Sequence, residues 1–167
     1  VSMAGIPTEA SILDMVERAM PGRVQNVYAH SSGGGKFIAV IQFKKTVPSD
    51  EGRQRQAALL AFSAFPELKQ VILVDEDVDI FDTNDVLWAM TTRMQADVDI
   101  VTIPGVRCHP LDPSNDPACS WSIRDHGIAC KTIYDATVPF NQKARFQRAK
   151  FMEVDVKKFL PDFTVQD

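Results

Sequence analysis

Five acidic residues fall within the eight positions from Asp75 to Asp82, and carboxylates at this density could bind a divalent cation. A calcium loop of the EF-hand type needs a glycine and a closing glutamate where this sequence has Ile80 and Val86. Two interpretations remain open. Asp75 and Asp77 could hold a metal ion against a diphosphate, as in a glycosyl- or nucleotidyltransferase. Alternatively, the acids could form a solvated turn that caps the following helix.

Cysteine and histidine, the side chains that favour zinc, are sparse in this sequence. The candidates by type are Cys108, His109, Cys119, His126 and Cys130. Their spacing does not match the closely spaced cysteine pairs of structural zinc sites, so no metal ligand is assigned. Cys108 and His109 are neighbours, which an extended backbone points to opposite sides, and this disfavours a nucleophile–base pair. His109 also follows a predicted strand, and ligand sites in open α/β sheets collect past strand ends.

A run of three glycines precedes Lys36 and suggests a phosphate-binding loop at first sight. Such a loop needs a serine or threonine directly after the lysine, and then a helix whose first N–H groups face the phosphate. Here Phe37 follows the lysine, and the next predicted element is a strand. The segment 30–35 is therefore predicted to be a hairpin turn.

Apolar periodicity predicts an alternation of helices and strands. A first helix has Thr8 as its N-cap and ends before Pro21, and a second helix is opened by the acids of residues 49–51. A third helix is capped by Asp82 or Thr83. Strands are predicted at 24–29, 36–43, 71–74, 98–103 and about 130–134, and a last helix at about 154–160. This pattern predicts the α/β class: a layered α/β domain with a mostly buried mixed sheet flanked by helices.

Length and charge limit the classes of protein to which the chain could belong. A length of 167 residues fits one domain, 1–167, with a core of its own. The formal charge of −4 gives no electrostatic basis for binding nucleic acid or an anionic membrane. No apolar run is long enough for a membrane helix, and no signal-peptide core is present at the N-terminus. Three cysteines favour reduced thiols and a cytoplasmic location.

Four segments together resemble the C-terminal third of the UbiD-type decarboxylases, over roughly residues 5–139. They are Gly5-Ile6-Pro7-Thr8-Glu9-Ala10, Val74-Asp75-Glu76-Asp77-Val78-Asp79, Val86-Leu87-Trp88-Ala89-Met90-Thr91-Thr92-Arg93 and Lys131-Thr132-Ile133-Tyr134-Asp135-Ala136-Thr137. The combination is specific, although each segment alone would be weak.

The resemblance implies an enzyme that decarboxylates an aromatic carboxylic acid with prenylated FMN, a manganese-type divalent ion and potassium, the flavin acting as electron sink. Its catalytic residues and metal ligands would belong to a preceding domain of about 300 residues, an expectation from the resemblance. No catalytic, cofactor or metal residue is therefore assigned in this chain. Relatives can place a phosphate-binding lysine before the strand that leads to Asp75, but the ungapped position here is Ser63. Alone, the chain is expected to be inert, and within the enzyme to aid homo-oligomerisation.

The resemblance also implies a role for the segment Val106-Arg107-Cys108-His109-Pro110-Leu111-Asp112-Pro113. By this match, His109 and Leu111 would face the substrate ring, and a histidine suits a ring hydroxyl that needs a hydrogen-bond partner. A hydroxybenzoate such as protocatechuate, gallate or 4-hydroxybenzoate is the expected substrate. Residues 106–128 are predicted to be a flexible active-site loop, and residues 140–167 a C-terminal extension with a helix. A non-enzymatic interaction module is the remaining alternative.

Overall fold

The computed structural model describes residues 2–115, 118, 127–149, 154 and 156–159. Its helices are α1 (Ser2–Ala19), α2 (Arg53–Ala64), α3 (Thr83–Arg93), α4 (Ala96–Asp99) and α5 (Val156–Phe159). Its strands are β1 (Val24–Ala29), β2 (Ile38–Phe43), β3 (Gln70–Val74), β4 (Ile100–Arg107) and β5 (Ile128–Ala136). Short 3-10 turns lie at Ser31–Gly33, Pro48–Asp50, Pro113–Asn115 and Phe140–Arg145. No helix within these ranges is long and apolar enough to cross a membrane.

The five strands form one mixed sheet in the order β1-β2-β3-β5-β4. The three central strands, β2, β3 and β5, run parallel, while the outer strands β1 and β4 run antiparallel to their neighbours. The β3 residues Val71–Val74 are buried, which confirms the prediction of a strand covered on both faces. The α/β class predicted from the sequence, with a mixed sheet between helices, is confirmed.

Alternating side chains of the central strands divide the core into two layers. On one face, Val71 and Leu73 pack with residues of α1 and α2, among them Ile12 and Ala61. On the other face, Ile72 and Val74 pack with residues that follow β3 and with α3, a cluster that includes Val78, Ile80, Val86 and Ala89. The acidic segment therefore crosses this second face, with Val78 and Ile80 turned inward.

The first helix begins earlier than predicted. The sequence pattern placed the N-cap at Thr8, a residue type favoured at this position, shortly before the apolar stripe of the helix. In the structure α1 already begins at Ser2 and contains Pro7. Thr8 is buried inside the helix, where its hydroxyl donates a hydrogen bond to the carbonyl of Ala4 at 2.8 Å. The Thr8 N-cap prediction was therefore wrong.

The acids expected to open α2 precede it. The helix begins at Arg53 after Gly52, whose φ of 87° lies in the left-handed region that glycine adopts without strain. Asp50 instead lies in the preceding 3-10 turn and is fully buried. Its carboxylate accepts hydrogen bonds from Arg23 Nε at 3.0 Å and from the backbone N–H groups of Thr46 and Val47 at 2.8 and 3.1 Å. The acid joins the turn before β1 to the β2–α2 connection.

Replacement of Asp50 by asparagine should lower the free energy of unfolding by about 1–2 kcal/mol at neutral pH, because the amide keeps the shape but loses the charge-assisted hydrogen bonds. Burial opposes ionisation of this carboxyl most strongly, but the N–H groups of Thr46 and Val47 and the charge of Arg23 outweigh it and lower its pKa from 3.8. The stabilisation is thus complete above pH 3.8 and is lost as the pH falls through the lowered pKa.

Urea unfolding of the wild type and of Asp50→Asn between pH 2 and pH 7 measures this difference. The two curves should converge at the acid end. The control is Asp14→Asn, which disrupts the exposed pair of Asp14 with Arg18 and should cost at most about 0.5 kcal/mol. A deficit of Asp50→Asn that does not depend on pH would contradict the assignment.

The fourth strand continues past its predicted end. Pro104 and Gly105 were expected to terminate it, but β4 runs to Arg107. The register with β5 shifts between Ile103 and Val106, and Gly105 has a φ of 71°. A bulge therefore accommodates the Pro-Gly pair, and the strand resumes beyond it.

Candidate functional site

The first candidate site is the segment of residues 108–115 that follows β4, here called the His109 loop. Because β4 is antiparallel to β5, this loop lies at the edge of the sheet where β2, β3 and β5 begin. In the sequence, His109 was a candidate for a ligand site because of its position past the end of a strand. Ligand sites in open α/β sheets lie past the carboxyl ends of the parallel strands. Those ends are at the opposite edge of the sheet, so this reason does not apply to His109. The His109 loop contacts Phe37, directly before β2, and the 65–69 connection before β3.

His109 is held by three contacts on the surface of its own domain. Its Nδ1 accepts a hydrogen bond from the backbone N–H of Leu111 at 3.0 Å. Its Nε2 lies 3.5 Å from Oε1 of Glu67. The edge of its ring faces Phe37, with 5.8 Å between the ring centroids and an interplanar angle of 84°. The side chain is 15% exposed, so it is fixed in position but can still be reached from solvent.

Leu111 has the opposite environment, since it is 79% exposed. The next residue, Asp112, anchors the loop: its carboxylate binds Lys69 Nζ at 2.8 Å and accepts hydrogen bonds from the backbone and hydroxyl of Ser114. Burial opposes ionisation of Asp112, but Lys69 and Ser114 outweigh it and lower its pKa. The ion pair of Asp112 with Lys69 thus holds the loop, and the loop exposes the apolar side chain of Leu111 to solvent.

The flexible loop predicted at 106–128 falls partly on this region. Residues 106 and 107 belong to β4, and 108–115 have the contacts given above. Residues 116–117 and 119–126, with the zinc candidates Cys119 and His126, lie outside the described residues. Flexibility of the segment stays a prediction. Cys108 is buried, and its thiol contacts the carbonyl of Glu67 at 3.5 Å.

The second candidate site, the acidic turn after β3, lies at the opposite edge of the sheet. Asp75 and Asp77 both bind one arginine, Arg93 of α3, whose side chain is only 2% exposed. Arg93 Nη1 donates to Asp75 at 2.9 Å and to Asp77 at 2.8 Å, and its Nη2 donates to Asp77 at 2.6 Å. Asp82 caps α3 by accepting from the N–H of Asn84, as predicted. These contacts are those of a capped, charge-paired turn.

The pKa values of the paired acids move in opposite directions. Burial raises the pKa of Asp75, although the N–H of Val138 and the charge of Arg93 act against it. Burial also opposes ionisation of Asp77, but its hydrogen bonds and charge pairing with Arg93 outweigh this effect and lower its pKa. Burial therefore outweighs the favourable contacts only at Asp75, the deeper of the two carboxyls.

The segment that follows β5 covers this edge. Lys143 binds Glu76 at 2.9 Å, and Arg148 binds Asp85 at 2.8 Å. The guanidinium of Arg148 also lies 4.1 Å from the ring centroid of Trp88. A cavity of about 430 Å³ remains between this segment and the turn, lined by Asp75, Asp77, Arg93, Val138, Lys143 and Phe146. Within the range 154–160, where a helix was predicted, the structure describes the short helix α5.

The contacts of Arg93 count against a metal site at the turn. A cation that bound Asp75 and Asp77 would have to displace a buried arginine from both carboxylates. Within the described ranges, no group of three or more histidine, cysteine, aspartate or glutamate side chains could hold a metal ion. The described residues thus do not fit the metal site of the transferase alternative.

Comparison with known proteins identifies the family. The family model of the 3-octaprenyl-4-hydroxybenzoate carboxy-lyase C-terminal domain, UbiD_C, matches residues 1–136. The chain belongs to this family. Gallate decarboxylase of Lactiplantibacillus plantarum is 60% identical over 162 residues, which are 96% of this chain and 33% of that protein. The chain thus spans about a third of the length of the curated relatives it matches, and the resemblance to UbiD-type decarboxylases is confirmed.

Solved structures of UbiD-class enzymes have the same fold. The apo 3,4-dihydroxybenzoic acid decarboxylase of Enterobacter cloacae is 64% identical with a TM-score of 0.87, covering 95% of this chain and 32% of that one. A UbiD-class enzyme of Pelotomaculum thermopropionicum with FMN is 33% identical with a TM-score of 0.79, covering 95% and 33%. Its evolved dimeric form with prFMN is 28% identical with a TM-score of 0.70, covering 95% and 30%.

The residues that carry the UbiD resemblance have structural contacts in this domain. Arg93 holds the acidic turn, as described above. Lys131 is buried and donates to the carbonyls of Pro66 and Leu68, each at 2.6 Å. Burial lowers the pKa of Lys131, and the nearby Cys108 only partly opposes this. Arg93 and Lys131, two residues of the segments that resemble UbiD-type decarboxylases, therefore fix connections at opposite edges of the sheet.

Glu67, the partner of His109, was missed from the sequence. It lies in the connection between α2 and β3, far from His109 along the chain, and an acid after Pro66 has no distinctive spacing. Phe37 was noted only as a residue that excludes a phosphate loop. The parallel pairing of β2 with β3 could have indicated that their preceding turns meet, but the place of β4 beside β5 was needed to bring in His109.

Proposed function

We propose that this chain is the C-terminal part of a non-oxidative decarboxylase of hydroxylated aromatic acids, and that its His109 loop forms one wall of the substrate site. The supporting observation is the high identity, 60% and 64%, to two decarboxylases whose named substrates are gallate and 3,4-dihydroxybenzoic acid. Both acids carry ring hydroxyls, which need hydrogen-bond partners when buried. His109 supplies such a partner, and the exposed Leu111 supplies apolar contact for the ring.

The chemistry of the reaction is assigned to the remainder of the enzyme. Prenylated FMN would supply the electron sink for loss of CO2, and manganese and potassium ions would accompany it. The described residues of this chain do not fit a metal ion, and no cofactor ligand is assigned to them. In this proposal the domain binds and orients the substrate ring and excludes water when it closes over the site. By itself it is inert.

Exposed apolar side chains support packing of this domain against other parts of the enzyme. Ile6 and Leu13 of α1 are 69% and 39% exposed, and Leu59 of α2 is 47% exposed. These two helices form the outer layer on one face of the sheet. We assign this surface to contacts with the preceding domain or with a second subunit, consistent with homo-oligomerisation. The cytoplasmic location expected from the sequence remains a prediction.

The test is His109→Phe in the complete enzyme, with rates of CO2 release from 3,4-dihydroxybenzoate and from an unhydroxylated aromatic acid. The wild type should decarboxylate the hydroxylated acid. The variant should lose about 10- to 100-fold in kcat/KM on that acid alone, because one hydrogen bond to a buried hydroxyl is worth about 1–3 kcal/mol.

Leu111→Met is the control, since it conserves volume and polarity and should leave the ratio of the two kcat/KM values within about threefold. Equal effects of His109→Phe on both acids would exclude recognition of a hydroxyl by His109. A wild-type enzyme without activity on any hydroxybenzoate would refute the proposed function.

A further inference from the structure

The hydrogen bond from Leu111 assigns the tautomer of the His109 ring. Since Nδ1 accepts the N–H of Leu111, it carries no proton, and the single proton of the uncharged ring is on Nε2. The Nε2 atom faces Oε1 of Glu67 at 3.5 Å, longer than the roughly 2.7–3.2 Å of a good hydrogen bond. One donor and one acceptor therefore face each other with their hydrogen-bonding capacity largely unused.

Glu67 is oriented so that Oε1 is the available oxygen. Its other oxygen, Oε2, lies 3.2 Å from Nζ of Lys36 in an ion pair. The side chain of Glu67 is 35% exposed and that of His109 is 15% exposed, so both are partly open to solvent.

The backbone around Glu67 is fixed from three directions. Lys131 Nζ binds the carbonyls of the residues on either side, Pro66 and Leu68, at 2.6 Å each. The thiol of Cys108 contacts the carbonyl of Glu67 itself. Lys131 and Cys108 are both buried, so the acceptor is preorganised relative to the loop that carries His109.

We propose that Glu67 and His109 form a clamp for a phenolic hydroxyl of the substrate. A hydroxyl both donates and accepts, so its oxygen can accept from His109 Nε2 while its proton is donated to Glu67 Oε1. An oxygen about 2.8 Å from each atom closes a triangle over the observed 3.5 Å base, so one hydroxyl oxygen can lie within hydrogen-bonding distance of both atoms. An unhydroxylated ring leaves both groups without this partner.

The inference rests on the proposed function and extends it by assigning a second residue to hydroxyl recognition. It predicts that Glu67→Leu in the complete enzyme lowers kcat/KM for 3,4-dihydroxybenzoate by about 10- to 30-fold, as expected for a lost hydrogen bond to a charged acceptor. The value for benzoate or another unhydroxylated acid should stay within about twofold. Glu67→Gln keeps an acceptor oxygen and should recover most of the loss.

A double-variant cycle tests whether the two side chains act on one hydroxyl. If they do, Glu67→Leu combined with His109→Phe should lose no more than the larger single variant on the hydroxylated acid. Lys36→Met is the matched control, because it removes the ion pair of Glu67 and leaves Oε1 in place, and it should keep the substrate ratio within about threefold. Losses that multiply in the double variant, or that are equal on both acids, would overturn the clamp.

A binding measurement separates this inference from the proposed function. Calorimetric titration of the complete enzyme with 3,4-dihydroxybenzoate and benzoate gives the preference in dissociation constant without turnover. An inactive enzyme that prefers the hydroxylated acid, and loses the preference in Glu67→Leu, would refute the proposed function but keep the clamp. An active enzyme in which Glu67→Leu leaves the preference and the kcat/KM ratio unchanged would refute the clamp alone.

Discussion

Replacement of Arg93 by leucine is expected to lower the free energy of unfolding by about 3–5 kcal/mol, the usual cost of removing one partner from a buried ion pair. Arg93 is 2% exposed and provides three hydrogen bonds to Asp75 and Asp77. Without it, the buried Asp75 keeps only the N–H of Val138 as a hydrogen-bond donor among the described residues.

The pH dependence of this loss is specific. Burial already raises the pKa of Asp75, and removal of Arg93 raises it further. A carboxyl whose pKa is raised in the folded state destabilises that state once the pH exceeds its ordinary pKa of 3.8. This destabilisation grows as the pH rises through the folded-state pKa. The deficit of Arg93→Leu should therefore shrink in acid, as measured by urea unfolding at pH 4 and pH 7.

The control for Arg93 is Arg148→Leu at the same turn. Arg148 is 35% exposed, and it pairs with Asp77 and Asp85 and stacks on Trp88. Exposed pairs contribute little, so the expected cost is about 1 kcal/mol. Equal effects of the two arginine substitutions would show that the turn is not held by the buried guanidinium.

Replacement of Asp135 by alanine is the second change with a large expected effect, a loss of about 3 kcal/mol in the free energy of unfolding. The carboxylate is 4% exposed at the end of β5. It accepts from Arg55 Nε at 2.8 Å, from Gln54 Nε2 at 3.0 Å and from the hydroxyl of Thr137 at 2.6 Å. Its removal leaves these buried or half-buried donors without their shared acceptor.

Asp99→Ala provides a matched control, because Asp99 binds the same arginine at 3.1 Å but is 24% exposed. Its loss should cost about 1 kcal/mol or less. Thermal and urea unfolding of the two variants should separate them clearly. If both variants lost the same small amount, the Asp135 network would not be a major contributor to stability.

Elements with strong local signals were predictable from the sequence. The continuous apolar run 71–74 indicated a covered strand, and the Asp82 cap preceded a clear apolar period. Two helix starts were mispredicted, because Thr8 and the acids around Asp50 are typical of N-termini yet have other contacts here. Their true roles depend on partners such as Ala4 and Arg23, which the local pattern does not identify.

Sequence reasoning identified only some residues of the candidate site. His109 and Leu111 were predicted from the family resemblance, as was the expected substrate class. Glu67 could not be found in this way, because its relation to His109 depends on the antiparallel placement of β4 beside β5. The acids at 75–77 drew attention by density alone, whereas their pairing with Arg93 became evident only when α3 was placed across the sheet.

The register shifts of the sheet have a consequence for self-association. Both occur in the two outer strands, between Val24 and Asn26 in β1 and between Ile103 and Val106 in β4. An unpaired strand with regular hydrogen-bonding groups is a template for adding a strand from another molecule, and bulges and proline interrupt that template. Copies of this domain should therefore resist edge-to-edge aggregation, which directs any ordered assembly to the helical faces.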